Sequence, residues 1–287
     1  MWVLLFFVLL MSKHRHVDLS DFRVKPGENI HMKKIDTDAT FGWDEESAMK
    51  RLEKNRKKII ELQDTLYAEH KQTLLVVLQA MDAAGKDSTI KAVTQGINPQ
   101  GCSVVSFKQP SSTELAHDFL WRIHQAVPEK GKIGIFNRSH YEDVIITRVH
   151  DLVDKELIKK RYDHINDFER MLTDHNVKIV KIMLHISSDY QLKRIKHRLE
   201  KPEKAWKFQA SDLAERKHWD DYMDAFEKAI EHTSTSDCPW FIVPGENKWF
   251  RYLVVSEIIL QALEDMAPEL PKPNFDIKIA MNPEFLK

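Results

Sequence analysis

The chain has 287 residues, of which 43% are hydrophobic and 30% charged, enough apolar material for one large α/β domain or two small ones. Its formal net charge is −1, so it carries no overall basic field for nucleic acid, and any site for a polyanion must be local. The two cysteines, Cys102 and Cys238, form no CxxC motif, which argues against a zinc site or a disulfide scaffold and fits a cytoplasmic protein.

The first eleven residues, 1–11, are wholly apolar. This extension is shorter than the roughly 20 residues that span a bilayer. It also lacks the charged start and the small-residue cleavage site of a signal peptide. We expect translation to start at Met11, which leaves residues 12–287 as a single domain without stable membrane insertion. The alternative is that the extension is translated and associates weakly with membranes.

Helix and strand patterns alternate from residue 44 onward. Apolar residues at helical spacing predict helices over 44–70, Thr113–Ala126 and Asp154–His175. Apolar runs predict strands centred on Val76 and over Val104–Phe107, Ile133–Phe136, Val177–Ile186 and Trp240–Val243. This alternation predicts a parallel sheet with helices on both faces, and an active site beyond the carboxyl ends of its strands.

The segment that leads out of the first strand is the most informative. A turn of small residues, Met81–Gly85, is followed by Lys86 and a helical pattern. This layout is typical of a P-loop, in which backbone N–H groups, the helix dipole and a lysine hold phosphate. The match to G-x-x-x-x-G-K-[ST] is incomplete, because Ala80 replaces the first glycine and Asp87 the Ser/Thr. The alternative is an ordinary strand-to-helix turn with an exposed lysine.

A second strand pattern, near Ile133, also ends in polar residues. P-loop enzymes need such a strand to deliver an acid that positions the metal. Here Asn137 stands at the strand tip, and Glu142 and Asp143 follow it. Arg138 suits stabilisation of charge on a transferring phosphoryl group. Taken alone, the segment also fits a strand followed by a polar helix cap.

Residues 193–217 hold nine lysines and arginines against four acids. Ser211 and Asp212 predict the N-cap of a helix that runs to about His232. Two helices joined by a basic segment resemble the lid of a P-loop kinase, and we place this lid at about 190–232. The alternative is a solvated, charged helical hairpin.

Three motifs, Met81–Ser88, Asn137–Asp143 and Lys201–Phe208, together resemble the polyphosphate kinase 2 family, over about Asp18 to Glu264. The form Asn-Arg-Ser-His-Tyr-Glu-Asp is similar to the class III branch, whereas other branches usually carry Asp-Arg-Ser-Trp-Tyr-Asn. Class III members phosphorylate nucleoside monophosphates and diphosphates with inorganic polyphosphate. The resemblance implies a P-loop kinase-like, three-layer α/β/α fold with a parallel central sheet and a helical lid.

The resemblance also implies roles for individual residues. The predicted catalytic residues are Asp82, Lys86, Arg138 and Glu142. The predicted metal ligands, for Mg²⁺ with Mn²⁺ as an alternative, are Asp82, Glu142 and Asp143. The predicted substrate-binding residues are Ala84, Gly85, Asp87, Ser88, Lys108, Asn137, Arg194, Arg198, Lys204, Lys207 and Arg216. Because Asn137 replaces an aspartate of many relatives, its amide oxygen is a weaker ligand, which shifts the metal prediction towards Glu142.

The expected partners are inorganic polyphosphate, AMP, ADP, ATP and guanine nucleotides, with transfer in both directions and no nucleic acid. We expect a homodimer or homotetramer, and the apolar helix pattern around Ile258 fits either core or interface. Two other functions stay open: a nucleoside monophosphate kinase that uses ATP, and a non-catalytic polyphosphate-binding protein. The scattered histidines are predicted to be surface or core-edge residues; they are His117, His140, His150, His164, His175 and His185.

Overall fold

The computed structural model describes residues 16–201, 203 and 210–274. The extension 1–11 and the predicted phosphate ligands Lys204 and Lys207 lie outside the described residues. The strands are β1 Thr73–Ala80, β2 Cys102–Ser106, β3 Ile133–Asn137, β4 Val177–His185 and β5 Trp240–Pro244. The helices within the described residues are α1 Glu45–Glu69, α2 Lys86–Val93, α3 Ser112–Leu115, α4 Trp121–Ala126, α5 Glu142–Val149, α6 Lys155–Asp174, α7 Ser188–Leu199, α8 Ala210–Glu215, α9 Trp219–Thr233 and α10 Lys248–Met266.

The five strands form one parallel sheet in the order β2-β3-β1-β4-β5. The central strand β1 therefore has β3 on one side and β4 on the other, and Leu78 is in register with Asn137. All five carboxyl ends lie at the same edge of the sheet, which brings the turns after β1 and β3 side by side. The predicted parallel sheet is confirmed.

Both faces of β1 are buried, as its unbroken apolar run indicates. Leu74 and Val76 join a hydrophobic cluster that includes α1 and α10. Leu75 and Val77 point the other way, into a cluster that includes α6 and α9. The molecule therefore has three layers, helices on either side of a sheet, and the predicted α/β/α architecture is confirmed.

Helix α10 is the most apolar helix of the core. Ile258 is 1% exposed and packs in the cluster that also holds α1. Of the two interpretations for this helix, the structure supports core. In the part of the chain that the structure describes, no helix is both long enough and apolar enough to cross a membrane.

The prediction of a single helix over Thr113–Ala126 is wrong, because two local hydrogen-bond motifs divide it. Ser111 starts α3 with a capping box, in which its Oγ accepts from the Glu114 N–H at 3.2 Å. Asp118 then accepts the N–H of Leu120 at 3.0 Å. Such a side-chain bond offers the backbone an alternative to the helix, so the chain turns before α4 begins.

The predicted N-cap at Ser211 and Asp212 is also wrong. Both residues lie inside α8, which already includes Ala210, so neither precedes the helix. The break comes later, at the 3₁₀ turn Arg216–His218, after which α9 continues to Thr233.

The N-terminal segment covers one edge of the sheet. The N–H of Val24 donates to the carbonyl of Trp240 at 2.9 Å, and the N–H of Ile242 donates to the carbonyl of Phe22 at 2.8 Å. These bonds pair backbone groups of β5 that an edge strand would otherwise leave open.

Candidate active site

The turn between β1 and α2 wraps around the amino group of Lys86. Its Nζ donates to the carbonyl of Ala80 at 2.8 Å, and the residue is 9% exposed. Ala83 and Gly85 adopt left-handed backbone angles, with φ of 66° and 104°. These two positions reverse the chain so that α2 begins at Lys86, with its first N–H groups at the mouth of the turn. The turn has the geometry of a phosphate-binding loop.

A buried arginine from α10 supports the back of this turn. Arg251 is 1% exposed, and its Nε donates to the hydroxyl of Thr89 at 2.9 Å. Its Nη2 donates to Ser88 Oγ at 3.2 Å, and its Nη1 bonds to the carbonyl of Gly245. A Cβ at Gly85 would lie 2.5 Å from Arg251 Nη2. Glycine is therefore required at Gly85 by this contact as well as by its φ.

Two cations converge on the carboxylate of Asp82. Arg138 Nη2 lies 2.5 Å from Asp82 Oδ1, and Lys86 Nζ lies 4.0 Å from the same atom. Burial alone raises the pKa of Asp82, but the charges of Lys86 and Arg138 outweigh it and hold that pKa below its usual value. Burial lowers the pKa of Lys86, an effect that Asp82 opposes. The predicted grouping of these three residues is present in the structure.

Arg138 reaches Asp82 because β3 is the neighbour of β1. Its backbone is left-handed, with φ of 64°, and its N–H donates to the carbonyl of Leu78 at 3.0 Å. Beside it, Asn137 Nδ2 donates to Asp87 Oδ1 at 2.9 Å. The residue at the strand tip and the residue in the Ser/Thr position of the P-loop thus bind each other across the site.

Glu142 faces the same cations from the start of α5. Gln79 Nε2 donates to Glu142 Oε1 at 2.9 Å in the amide orientation that satisfies both ends of Gln79. Burial raises the pKa of Glu142 above its usual value, although the charges of Arg138 and Lys86 oppose this shift. The carboxylate is thus close enough to the P-loop to respond to its charges.

Asp143 has different surroundings, although it is the next residue. Its Oδ2 lies 3.6 Å from Arg122 Nη2, and its backbone carbonyl accepts from Arg161 Nη1 at 2.6 Å. Burial raises the pKa of Asp143, against the charge of Arg122. Among the described residues, no three His, Cys, Asp or Glu side chains are grouped to hold a metal ion. The structure therefore does not bring Asp143 together with Asp82 and Glu142 in one metal site.

The donor set of Asp82 and Glu142 nevertheless fits Mg²⁺. This ion is commonly bound by one or two carboxylates together with substrate phosphates and water, rather than by a complete cage of protein ligands. Both carboxylates interact with Lys86 and Arg138, the cations at the mouth of the phosphate-binding turn.

A buried network anchors the loop that carries Arg138 and Glu142. Lys181 Nζ contacts Glu169 Oε2 at 2.5 Å, and Glu169 Oε1 accepts from Tyr141 OH at 2.8 Å. Lys181 Nζ also contacts Tyr141 OH at 3.1 Å and the carbonyl of Thr233 at 2.6 Å. His140 completes this network, with Nε2 at 3.4 Å from Glu169 Oε1. We call these five residues the buried network.

Other predicted substrate-binding residues are spread around the site. Lys108 is exposed after β2, and its carbonyl accepts from Arg122 Nη1 at 2.9 Å. The charge of Arg198 lowers the pKa of Asp82, so Arg198 is close enough to the P-loop to act on it. Arg194 lines an open cleft of about 670 Å³ along α7. The amide of Ala84 donates within the turn, to the carbonyl of Met81 at 3.3 Å.

Arg216 contacts the base of α7 through both of its Nη atoms. Nη1 donates to the carbonyl of Ser188 at 2.8 Å and to Gln191 Oε1 at 2.9 Å, and Nη2 donates to Ser188 Oγ at 3.0 Å. Gln191 in turn donates to the carbonyl of Asp82 at 2.9 Å. That Arg216 binds polyphosphate stays a prediction, but these contacts direct its guanidinium towards the P-loop backbone.

Several residues of the site carried no recognisable signal in the sequence. Arg251 and Gln191 act through partners far away along the chain, and the pair Glu169–Lys181 joins a helix to the strand that follows it. The one available hint was Lys181 in the middle of a largely apolar strand pattern, since an interior lysine needs a buried partner. His140 and His185 are 1% and 4% exposed, so their predicted place at the surface or core edge is wrong.

Comparisons with known proteins agree with this geometry. The sequence model of the family described as Polyphosphate kinase 2 (PPK2) matches residues 42–271. The AMP/ADP-polyphosphate phosphotransferase of Meiothermus ruber is 46% identical over 257 residues, 89% of this chain and 96% of its own. The ADP-polyphosphate phosphotransferase of Rhodopseudomonas palustris is 44% identical over 269 residues, covering 89% and 93%. The crystal structure of Polyphosphate Kinase 2 from Arthrobacter aurescens TC1 has a TM-score of 0.88 at 41% identity, covering 92% of this chain and 95% of that one.

Proposed function

The chain belongs to the polyphosphate kinase 2 family, and on that premise we propose that it transfers the terminal phosphoryl group of inorganic polyphosphate to AMP and to ADP, reversibly. The observation that carries the proposal is the convergence of Lys86 and Arg138 on Asp82 at the mouth of the phosphate-binding turn. The names of the two relatives support polyphosphate as donor and adenine nucleotides as acceptors.

Phosphoryl transfer requires mainly positioning and charge stabilisation from the protein. In the proposed mechanism, the N–H groups at the start of α2 and the ammonium of Lys86 bind the phosphates that are exchanged. Arg138, fixed by its ion pair with Asp82, stabilises the charge that spreads over the oxygens of the transferred group. Asp82 and Glu142 would hold Mg²⁺, which when bound neutralises phosphate charge.

The remaining polar residues have proposed roles in substrate binding. Lys108 lies beyond the end of β2 and the Asn137–Asp87 pair at the end of β3, and both are proposed to contact the acceptor nucleotide. Polyphosphate is proposed to bind along the lid at 190–232, through the basic residues Arg194, Arg198, Lys204 and Lys207. Direct binding by Arg216, as the sequence predicts, is the alternative to a positioning role at the base of α7, and the kinetics of Arg216→Met separate the two. Arginine suits bidentate contacts to phosphate, whereas lysine supplies less directional ones that a moving polymer can exchange.

The family resemblance supports three further parts of the proposal: use of guanine nucleotides, a cytoplasmic location and a homodimer or homotetramer. Size-exclusion chromatography with light scattering tests the last of these directly. A monomer at micromolar concentration would contradict it.

The deciding experiment supplies AMP, and separately ADP, with polyphosphate and Mg²⁺ but without ATP. We expect ADP and ATP from AMP, and ATP from ADP. If polyphosphate gives no product while AMP and ATP together give ADP, the protein is a conventional nucleoside monophosphate kinase. If polyphosphate binds but no nucleotide is phosphorylated under either condition, the protein is a binding protein.

A further inference from the structure

We infer that Gln191 and Arg216 are positioning residues that fix the backbone of Asp82 for phosphoryl transfer, an inference whose kinetic readout rests on the proposed function. Gln191 is 1% exposed, and its Nε2 donates to the carbonyl of Asp82 at 2.9 Å. Its Oε1 accepts from Arg216 Nη1 at 2.9 Å. A carbonyl can only accept and a guanidinium can only donate, so these two partners allow a single orientation of the amide.

Arg216 is itself held by the start of α7. Its guanidinium spans the carbonyl and the hydroxyl of Ser188, at 2.8 and 3.0 Å, while it donates to Gln191. Ser188 and Gln191 are the first and fourth residues of α7, and Arg216 opens the 3₁₀ turn that follows α8. Gln191 and Arg216 therefore connect α7 and the 3₁₀ turn to one P-loop carbonyl, through a single bond from Gln191.

The position of this carbonyl matters because the side chain of the same residue faces the reaction. Asp82 pairs through its carboxylate with Arg138, and through its carbonyl with Gln191. The two bonds hold both the side chain and the backbone of the residue. Since a displacement of about 1 Å in a phosphoryl-transfer site can cost about a hundredfold in rate, loss of the second bond is expected to reduce turnover.

This role differs from direct binding of polyphosphate by Arg216, and kinetics separates the two. The variants are Gln191→Met, Arg216→Met and the double variant, each assayed for kcat and for the KM values of polyphosphate and AMP. Each single change is expected to lower kcat by about 10- to 100-fold and to change either KM by less than about threefold. Because both residues act through one chain of hydrogen bonds, the double variant should be no slower than the slower single variant.

Matched controls replace the same residue types on exposed helix faces. Gln261 donates to Asp265 within α10, and Arg170 pairs with Asp167 within α6. Gln261→Met and Arg170→Met should leave kcat unchanged. A KM for polyphosphate that rises at constant kcat in Arg216→Met would overturn the inference, as would independent losses that multiply in the double variant.

Gln191→Glu separates the two hydrogen bonds of Gln191, one to the carbonyl of Asp82 and one from Arg216. Glutamate keeps an acceptor for Arg216 but loses the donor to the carbonyl of Asp82. We expect the kcat of Gln191→Glu to fall as far as that of Gln191→Met, with a melting temperature close to that of the wild type. Full activity in Gln191→Glu would contradict the inference.

Amide hydrogen exchange gives a readout that does not need turnover. Peptides covering residues 79–90 should exchange faster in Gln191→Met and in Arg216→Met than in the wild type or the two control variants. If the wild type makes no product from polyphosphate, the proposed function fails, while faster exchange would still support the positioning role. Unchanged exchange in both variants would overturn that role whatever the activity.

Discussion

Two charged clusters include residues of the loop after β3, which contributes Arg138 to one and His140 and Tyr141 to the other. Both contain a lysine and a carboxylate, but the two clusters differ in how far these groups are exposed. In the buried network, Lys181 and Glu169 have side chains 0% and 2% exposed, and the ammonium contacts three partners. A lysine has three N–H donors, so this one has no capacity left for a ligand. At the P-loop, Asp82, Lys86 and Arg138 form a second cluster, which we call the open cluster because the side chains of Asp82 and Arg138 are about one-third exposed.

Lys86, in the open cluster, has weaker contacts than Lys181 in the buried network. It bonds to the carbonyls of Ala80 and Met81 at 2.8 and 3.4 Å and faces Asp82 only at 4.0 Å. Its contacts therefore orient the ammonium without saturating it. The comparison indicates that satisfied charges behind the loop hold it in place, while the charges in front of it remain partly exposed, where phosphate can reach them.

The largest expected effect on stability comes from breaking the buried network. Lys181→Met leaves the carboxylate of Glu169 buried without its cation, so the free energy of unfolding should fall by about 3–5 kcal/mol. Urea denaturation measures this loss. The double variant Lys181→Met/Glu169→Gln should recover much of it, because no buried charge remains. A loss below about 1 kcal/mol in Lys181→Met would mean that the network does not stabilise the loop.

Changes in the open cluster should lower kcat strongly and the free energy of unfolding only slightly. In Lys86→Met, kcat should fall by about 10²–10³-fold, because the cation that stabilises the transferred phosphoryl group is lost. The free energy of unfolding should change by less than about 1 kcal/mol. Lys91→Met, at an exposed position of the same helix, is the control and should keep full activity. Comparable stability losses in Lys86→Met and Lys181→Met would contradict the distinction between the clusters.

Gly85→Ala tests the support behind the open cluster. The new Cβ would lie 2.5 Å from Arg251 Nη2 at a φ of 104°, so we expect a loss of about 2 kcal/mol together with reduced kcat. Gly27→Ala separates the two causes, because Gly27 has a φ of 73° but no atom within 4 Å of its added Cβ. That control should cost about 1 kcal/mol from backbone strain alone. Equal losses in the two variants would show that the Arg251 contact has no weight.

The smallest effect concerns the pH dependence of Glu142. Since burial raises its folded pKa above 4.5, ionisation of Glu142 opposes folding as the pH rises from 4.5 through that folded pKa. Glu142→Gln removes this penalty, so the variant should be more stable than the wild type at neutral pH, and less active. Thermal melts at pH 4 and pH 7 measure the difference. A variant that gains no stability at pH 7 relative to pH 4 would contradict it.

Sequence patterns predicted those parts of the site that depend on local order. The strand, the turn and the lysine that begins α2 are contiguous, and so is the run from Asn137 to Asp143. Both motifs can therefore be recognised directly in the sequence. Long strands buried on both faces also predicted the parallel sheet. The helix over Thr113–Ala126 failed for the opposite reason, because apolar spacing does not reveal that the side chain of Asp118 bonds to the backbone.

The supporting residues could not be predicted because their partners are remote. Arg251 and Ser88 are 163 positions apart, and Gln191 and Asp82 are 109 apart. An arginine on a helix or a glutamine in a charged stretch is ordinarily a surface residue, and only the packed fold shows otherwise. That Asp143 binds the metal stays a prediction; adjacent residues at a helix start point in different directions, and its carboxylate lies 3.6 Å from Arg122.

The register between β1 and β3 has a consequence for how far the reacting groups can move. Adjacent strands lie about 4.8 Å apart, and Leu78 faces Asn137 directly. The turn that binds phosphate and the loop that supplies Arg138 leave the sheet from these neighbouring strands. The separation of the two is therefore set by backbone hydrogen bonds in the core rather than by flexible side chains. In the proposed mechanism, the spacing across which phosphate is exchanged is thus as constant as the sheet itself.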